Sequence, residues 1–195
     1  MTRQTRFGML ITILAFTLLA ALMQPCIARI VYTQTDQLIK NDGSLSIDFS
    51  NNGHTDVIIN QSGAPIGNCS YDQVSANAAS GGGILSGSSS PDGPLAAALS
   101  AGAPIGSQDP FVSSAIMVDL VPGIPCGSGH NYGYWLGQGA HYLGVAFVKN
   151  GKVHYGWALL QCWLVGYGHE AGAYTKLTGY AYQTIAGMQI LAGKT

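Results

Sequence analysis

"HYLGVAFVKNGKVHYGWALLQCW" (141–163) alternates apolar with small or polar side chains, breaks once at KNGK, and resumes the alternation. Side chains of an extended strand point to opposite faces in turn, so a period of two marks a strand with a buried face. In 142–148, Leu143, Val145 and Phe147 share one face, against Tyr142, Gly144, Ala146 and Val148. In 153–163, Val153, Tyr155, Trp157, Leu159, Gln161 and Trp163 oppose His154, Gly156, Ala158, Leu160 and Cys162. Asn150-Gly151 readily takes the positive φ values of a two-residue type I′ turn, and Lys149 and Lys152 keep its tip in water. The stretch is expected to be a scaffold hairpin, with Trp157 anchored in a core.

Working outward, RIVYTQ (29–34), SLSIDF (44–49), DVIIN (56–60) and KLTGYAYQTI (176–185) also read as strands. Residues 77–111 are rich in Gly, Ser, Ala and Pro and hold no sustained period, so part of them must be loop. Inside that segment, Asp92 or Gly93 can cap, Pro94 suits a first helical position, LAAALSA follows, and Gly102 stands where a helix stops. These signals predict one short helix near 94–101. Roughly eight to ten short strands with a single helix predict an all-β fold, an antiparallel two-sheet sandwich of jelly-roll type.

The N-terminus has a different character. Arg3 and Arg6 precede an uncharged apolar run, Phe7 to Met23, and Cys26-Ile27-Ala28 offers small residues where a signal peptidase reads. Residues 1–28 are therefore expected to be a secretory signal, and 29–195 a single exported domain that is not integral to a membrane. A retained anchor is the alternative, since the run is near the lower limit of the roughly 17–25 residues that cross a bilayer. Residues 29–195 carry six Lys/Arg and nine Asp/Glu. Such a charge-poor, weakly acidic chain has no basic footprint for nucleic acid. With Cys26 gone, Cys69, Cys126 and Cys162 remain; the Gly/Pro-rich settings of the first two favour a Cys69–Cys126 disulfide with Cys162 buried, and the alternative is that none pair.

Four features in order, IDFSNNGHTDVIIN, GPLAAALSAGAPIG, HYLGVAFVKNGKVHYGWALLQ and LTGYAYQTIAGMQILAGKT, resemble a group of uncharacterised secreted bacterial proteins. That group has a D-x-N-x-D-G-x-x-D loop ahead of a YLG-x-x-F…NG…HYGW hairpin, and is similar in style to exported proteins with PEP-CTERM sorting tails. The resemblance implies a secreted β-sandwich of unknown biochemical role. The chain differs from tail-bearing members in closing on LAGKT, and it has GYAYQTIAG where they often place an acidic residue and proline.

Asp48, Ser50, Asn52, His54 and Asp56 in DFSNNGHTD space oxygen ligands as a loop wrapping Ca²⁺ does, with Gly53 at the sharp turn. Ile59 stands where an EF-hand has its bidentate Glu, and Asn52 stands where the resembled group has Asp. An Asx-rich turn with Gly53 at positive φ explains the same residues without metal. None of the five histidines has the spacing of a zinc helix, though His141 and His154 fall on facing hairpin strands. Among many aromatics, Tyr134 and Trp135 in a glycine-rich loop are the candidate ligand-binding pair, while the rest suit a core. Catalysis has little support: Glu170 is the lone glutamate, no G-x-S-x-G elbow occurs, and Cys126 with His130 is the only nearby thiol–imidazole pair.

The residues thus point to a non-enzymatic exported protein that binds a glycan or builds a cell-surface matrix, with Ca²⁺ as a candidate loop staple. The alternatives are a secreted hydrolase with its site in the 77–111 and 122–140 loops, and a self-assembling filament or coat subunit.

Overall fold

The computed structural model describes residues 28–40, 42–66, 69–121, 129–137, 139–165 and 172–195. Residues 1–27, Cys126 and the side chains of Cys69 and His130 lie outside it, and with them the signal segment, the Cys69–Cys126 pairing and the Cys126/His130 pair.

Among the described residues the chain is all β, without a helix. The strands are β1 (Ile30–Ile39), β2 (Ser44–Ile47), β3 (Val57–Ile66), β4 (Cys69–Ala78), β5 (Gly83–Ser90), β6 (Gly93–Ala96), β7 (Pro104–Ile105) and β8 (Phe111–Val112), then β9 (Ser114–Val121), β10 (His130–Tyr132), β11 (Ala140–Lys149), β12 (Lys152–Val165), β13 (Gly172–Gln183) and β14 (Ile190–Leu191). The hairpin β11–β12 pairs in unbroken register from Ala140↔Gln161 to Lys149↔Lys152. Asn150 and Gly151 close it at φ 52 and 71, the paired positive values of a type I′ turn.

The expected two-sheet sandwich is replaced by one large mixed sheet, ordered β1-β13-β12-β11-β5-β6-β9-β4-β3-β2, and a small β7–β14 pair. The cause is β5, which belongs to both halves. Its first residues pair with β11 (Val145↔Ile84), and from Ser86 on it pairs with β6, across a bulge between Ser86 and Ser88. A bulge bends and twists a strand, so β5 turns the corner that separates two sheets in a sandwich. The edge strands β1 and β2 are consecutive in the chain, and the sheet nearly closes into a barrel.

The expected helix at 94–101 is overturned too. Gly93–Ala96 is β6, hydrogen-bonded to β5 in the register Ser90↔Gly93, Ser89↔Pro94 and Ser88↔Leu95. Ser-Pro-Asp-Gly is a turn signature between two extended runs, with Gly93 at φ 139. Beyond it Leu99 bridges to Tyr142, so LAAAL continues along β11 in extended form.

Both faces of the hairpin are buried, each against a different cluster. Leu143, Val145 and Phe147 with Ala158, Leu160 and Cys162 face the barrel interior, where Phe49 stacks on Phe147 at 5.3 Å. Tyr155 and Trp157 lie on the outer face, under Ile105, Ile190 and Ala192 of the small sheet and its flanks. Trp157 is 2% exposed, so it is a core anchor, in the outer core. Burying each such side chain contributes ~1.5–3 kcal/mol, which is why a strand covered on both sides needs no polar face.

Two polar side chains enter the interior to hold the backbone of one residue, Ala173. Gln61 Nε2 donates to the Ala173 carbonyl, and the Ala173 N–H donates to Asp72 Oδ2. Gln61 and Asp72 are diagonal neighbours, through the pairs Gln61↔Val74 and Gly63↔Asp72. Gln61 Oε1 and Asp72 Oδ1 are buried without a partner among the described residues. Burial raises the Asp72 carboxyl above the usual carboxylate value, against the Ala173 N–H that lowers it, and Asp42 adds to the rise. A carboxyl raised on folding binds its proton more tightly in the folded state, so its contribution is full below pH 3.8 and is lost as pH rises through the folded value. Asp72→Asn keeps an acceptor for Ala173 and adds a donor near Gln61. Denaturation midpoints are expected to show it more stable at neutral pH by about 1 kcal/mol, with the acid-to-neutral slope flattened. A loss of stability at neutral pH would show the carboxylate to be favourable there.

Candidate functional site

The candidate site lies where β11 parts from β5. Their pairing is confined to Val145 and Ala146, and the chain after β6 takes up the edge of β11 through reciprocal hydrogen bonds between Leu99 and Tyr142, each 3.0 Å. The connection from β10 to β11 passes over the opening. A cavity of about 560 Å³ results, lined by Gly87, Ala97, Ala98, Gly133, Tyr134, Leu136 and His141. That volume is within the roughly 300–1,000 Å³ of small-ligand sites.

Gly133 sets the geometry of this connection. It has φ +97, and a Cβ there would lie 2.0 Å from the Met117 carbonyl oxygen, so only glycine lets the chain cross β9 so closely. The next two residues diverge. Trp135 is fully buried in the interior cluster, donates from Nε1 to the Ala96 carbonyl (3.1 Å), and meets the His141 ring edge-on at 6.0 Å. Tyr134 is 55% exposed, with its hydroxyl 3.2 Å from Ser88 Oγ. Of the expected binding pair, Tyr134 therefore offers a ring to solvent, and Trp135 is the wedge that fixes it.

His141 contributes a buried Nε2 that has no hydrogen-bond partner among the described residues. A buried polar atom left unpaired costs about 1–3 kcal/mol, a cost that native structures concentrate at sites with work to do. Among the described lining residues none is Asp, Glu, Lys or Arg. The site offers an aromatic face, two hydroxyls, an imidazole and a floor of glycine and alanine.

The DFSNNGHTD loop is tied to itself. Asp48 Oδ1 accepts from Asn52 N (3.2 Å) and Ser50 Oγ (3.4 Å), and Asp48 Oδ2 accepts from Gly53 N (2.7 Å). Asp56 Oδ2 takes the N–H groups of Phe49 (2.8 Å) and Ser50 (3.4 Å), and Asn52 Oδ1 takes that of His54 (2.8 Å). Burial works to raise the Asp48 carboxyl, but hydrogen bonds from Gly53, Asn52, Asn51 and Ser50 outweigh it and leave the value lowered. Burial raises Asp56. Gly53 has φ 84 and Asn51 has φ 52, the geometry of an Asx-rich turn. The oxygens of Asp48, Asn52 and Asp56 thus accept hydrogen bonds from within the loop itself. Among the described residues, no three His, Cys, Asp or Glu side chains gather as a metal-binding group.

No protein-family model, curated protein or solved structure matches the chain. Its site is therefore read from its own residues.

His141 and His154 do not form a pair. His141 lies opposite Leu160 and His154 opposite Phe147, six positions apart along the hairpin, about 20 Å at 3.3 Å per residue. His154 is interior, its Nδ1 2.9 Å from the Gln183 carbonyl. Cys162 is free and buried beside Thr175, and burial pushes its thiol up to about 11, the state of an inert sulfur. Ser88 and Gly133 were not legible as site residues, because neither sits in a recognisable pattern. Their roles come from strands distant in the chain.

Proposed function

We propose that the protein is an exported, non-catalytic β-protein that binds a neutral glycan in the cavity beside Tyr134. The observation that carries the reading is the solvent-facing Tyr134 ring at the rim of an uncharged cavity, braced by buried Trp135. A sugar presents a C–H face that packs on an aromatic ring and hydroxyls that pair with a tyrosine, a serine or an imidazole. The described lining residues carry no Lys or Arg, which favours a neutral sugar over an acidic one, because an anion would leave water without a compensating cation. Export rests on the N-terminal reading and on the resemblance to secreted bacterial proteins, and a role in the surface matrix is the setting both suggest.

A glycan array probed with the purified mature chain, followed by calorimetry on any hit, tests the reading. Tyr134→Ala is expected to weaken binding by tenfold or more, about 1.4 kcal/mol, with an unchanged melting temperature, since an exposed side chain contributes little to folding. Binding that survives Tyr134→Ala would move the site elsewhere. Turnover of a bound saccharide would replace the non-catalytic reading with a hydrolase.

A further inference from the structure

The chain has two described Asn-Gly steps, in contrasting settings. Asn150-Gly151 closes the β11–β12 hairpin between Lys149 and Lys152, whose ammonium groups accept no proton. Asn52-Gly53 is exposed on the DFSNNGHTD loop, where Asp48 Oδ2 lies 2.7 Å from Gly53 N and the His54 N–H donates to Asn52 Oδ1 at 2.8 Å.

We propose that Asn52-Gly53 is a self-modifying site, at which the loop cyclises and deamidates its own asparagine. Three parts of the reaction are already placed. The nucleophile is the Gly53 nitrogen, which has no side chain beside it to block attack on Asn52 Cγ. The base is the Asp48 carboxylate, within the roughly 2.6–3.2 Å at which a general base takes a proton. The third part is the His54 N–H, which holds the Asn52 carbonyl oxygen on which negative charge grows as the tetrahedral centre forms.

The balance is simple. Gly53 N gives its proton to Asp48 and forms a bond to Asn52 Cγ. The bond from Cγ to the amide nitrogen breaks, and that nitrogen leaves as ammonia with the proton Asp48 received. Water then opens the cyclic imide, giving aspartate or isoaspartate. Nothing is oxidised or reduced, and water is the sole co-reactant. The product carries a new carboxylate between Asp48 and Asp56.

The test uses the mature protein, held at neutral pH either folded or unfolded in urea, with conversion at each asparagine followed by peptide mapping and mass spectrometry. In the folded protein Asn52 is expected to convert at least about tenfold faster than Asn150, the low end of what general acid–base assistance supplies, and in urea the two rates should converge. Asp48→Asn still presents an oxygen to the Gly53 N–H but takes no proton; it should slow Asn52 by about tenfold and leave Asn150 alone. Equal rates in the folded protein, a faster Asn150, or an Asn52 rate indifferent to Asp48→Asn would each overturn the proposal. If Asp48→Asn disturbs the loop, the folded-against-urea comparison on the unaltered chain decides alone.

Discussion

Gly133→Ala is expected to destabilise the protein by about 3–5 kcal/mol and to abolish binding at the Tyr134 site. Two costs combine. A non-glycine residue at φ +97 carries left-handed strain of about 1–2 kcal/mol, and the new methyl would sit 2.0 Å from the Met117 carbonyl oxygen, a backbone atom of a buried strand that cannot swing aside. The chain must then lift off β9, withdrawing Trp135 from the interior and moving Tyr134 with it. Gly137, in the same connection, supplies the control: it has φ +67 and nothing within 4 Å of its would-be Cβ. Gly137→Ala should therefore show the strain alone, about 1–2 kcal/mol, in the same urea titration. Equal losses for the two variants would mean that the crossing over β9 is not as close as described.

The second large effect is expected at Trp157. Trp157→Ala should cost about 3–5 kcal/mol, as for other buried aromatics, and should also release the C-terminal segment. The indole Nε1 donates to the Lys194 carbonyl at 3.2 Å, and its ring meets Tyr142 edge-on at 5.1 Å and Tyr32 at 5.8 Å. Gly193 lies against the Tyr142 hydroxyl, so the segment is seated on the same aromatic group. Phe147→Ala, which empties a site in the interior instead, should cost a similar amount without freeing the C-terminus. Limited proteolysis under native conditions separates the two: cleavage near residues 186–195 in Trp157→Ala only. Should both variants be cut alike there, the outer core does not depend on Trp157 for its cover.

These outcomes mark how far the fold was legible from residue order. The β11–β12 hairpin and its turn were readable because alternation and Asn-Gly act over neighbouring residues. β4 was hidden: in CSYDQVSANA the inward positions are Asp72, Val74 and Ala76, so the buried carboxylate breaks the apolar stripe. β5 was hidden because GILSGSSS leaves the interior after Leu85 and runs on in serine. The helix expected at 94–101 came from weighing Pro94 and LAAAL above Ser-Pro-Asp-Gly. Alanine has no β preference to announce, and pairing with β5 decided its state. At the site, Tyr134 was visible as an aromatic in a glycine-rich loop. The inward course of Trp135 and the part of His141 depend on Ala96 and Gly87, which only the closed sheet brings near.

The pairing of β1 with β13, from Ile30↔Gln183 to Ile39↔Thr175, joins the first strand of the described chain to nearly the last. No partial product of synthesis can seal that seam, and ordering so long an intervening stretch makes for slow folding. A nascent chain of this design stays open until β13 is made. Until then β1 waits without its partner strand, an open edge at which unfinished chains can aggregate.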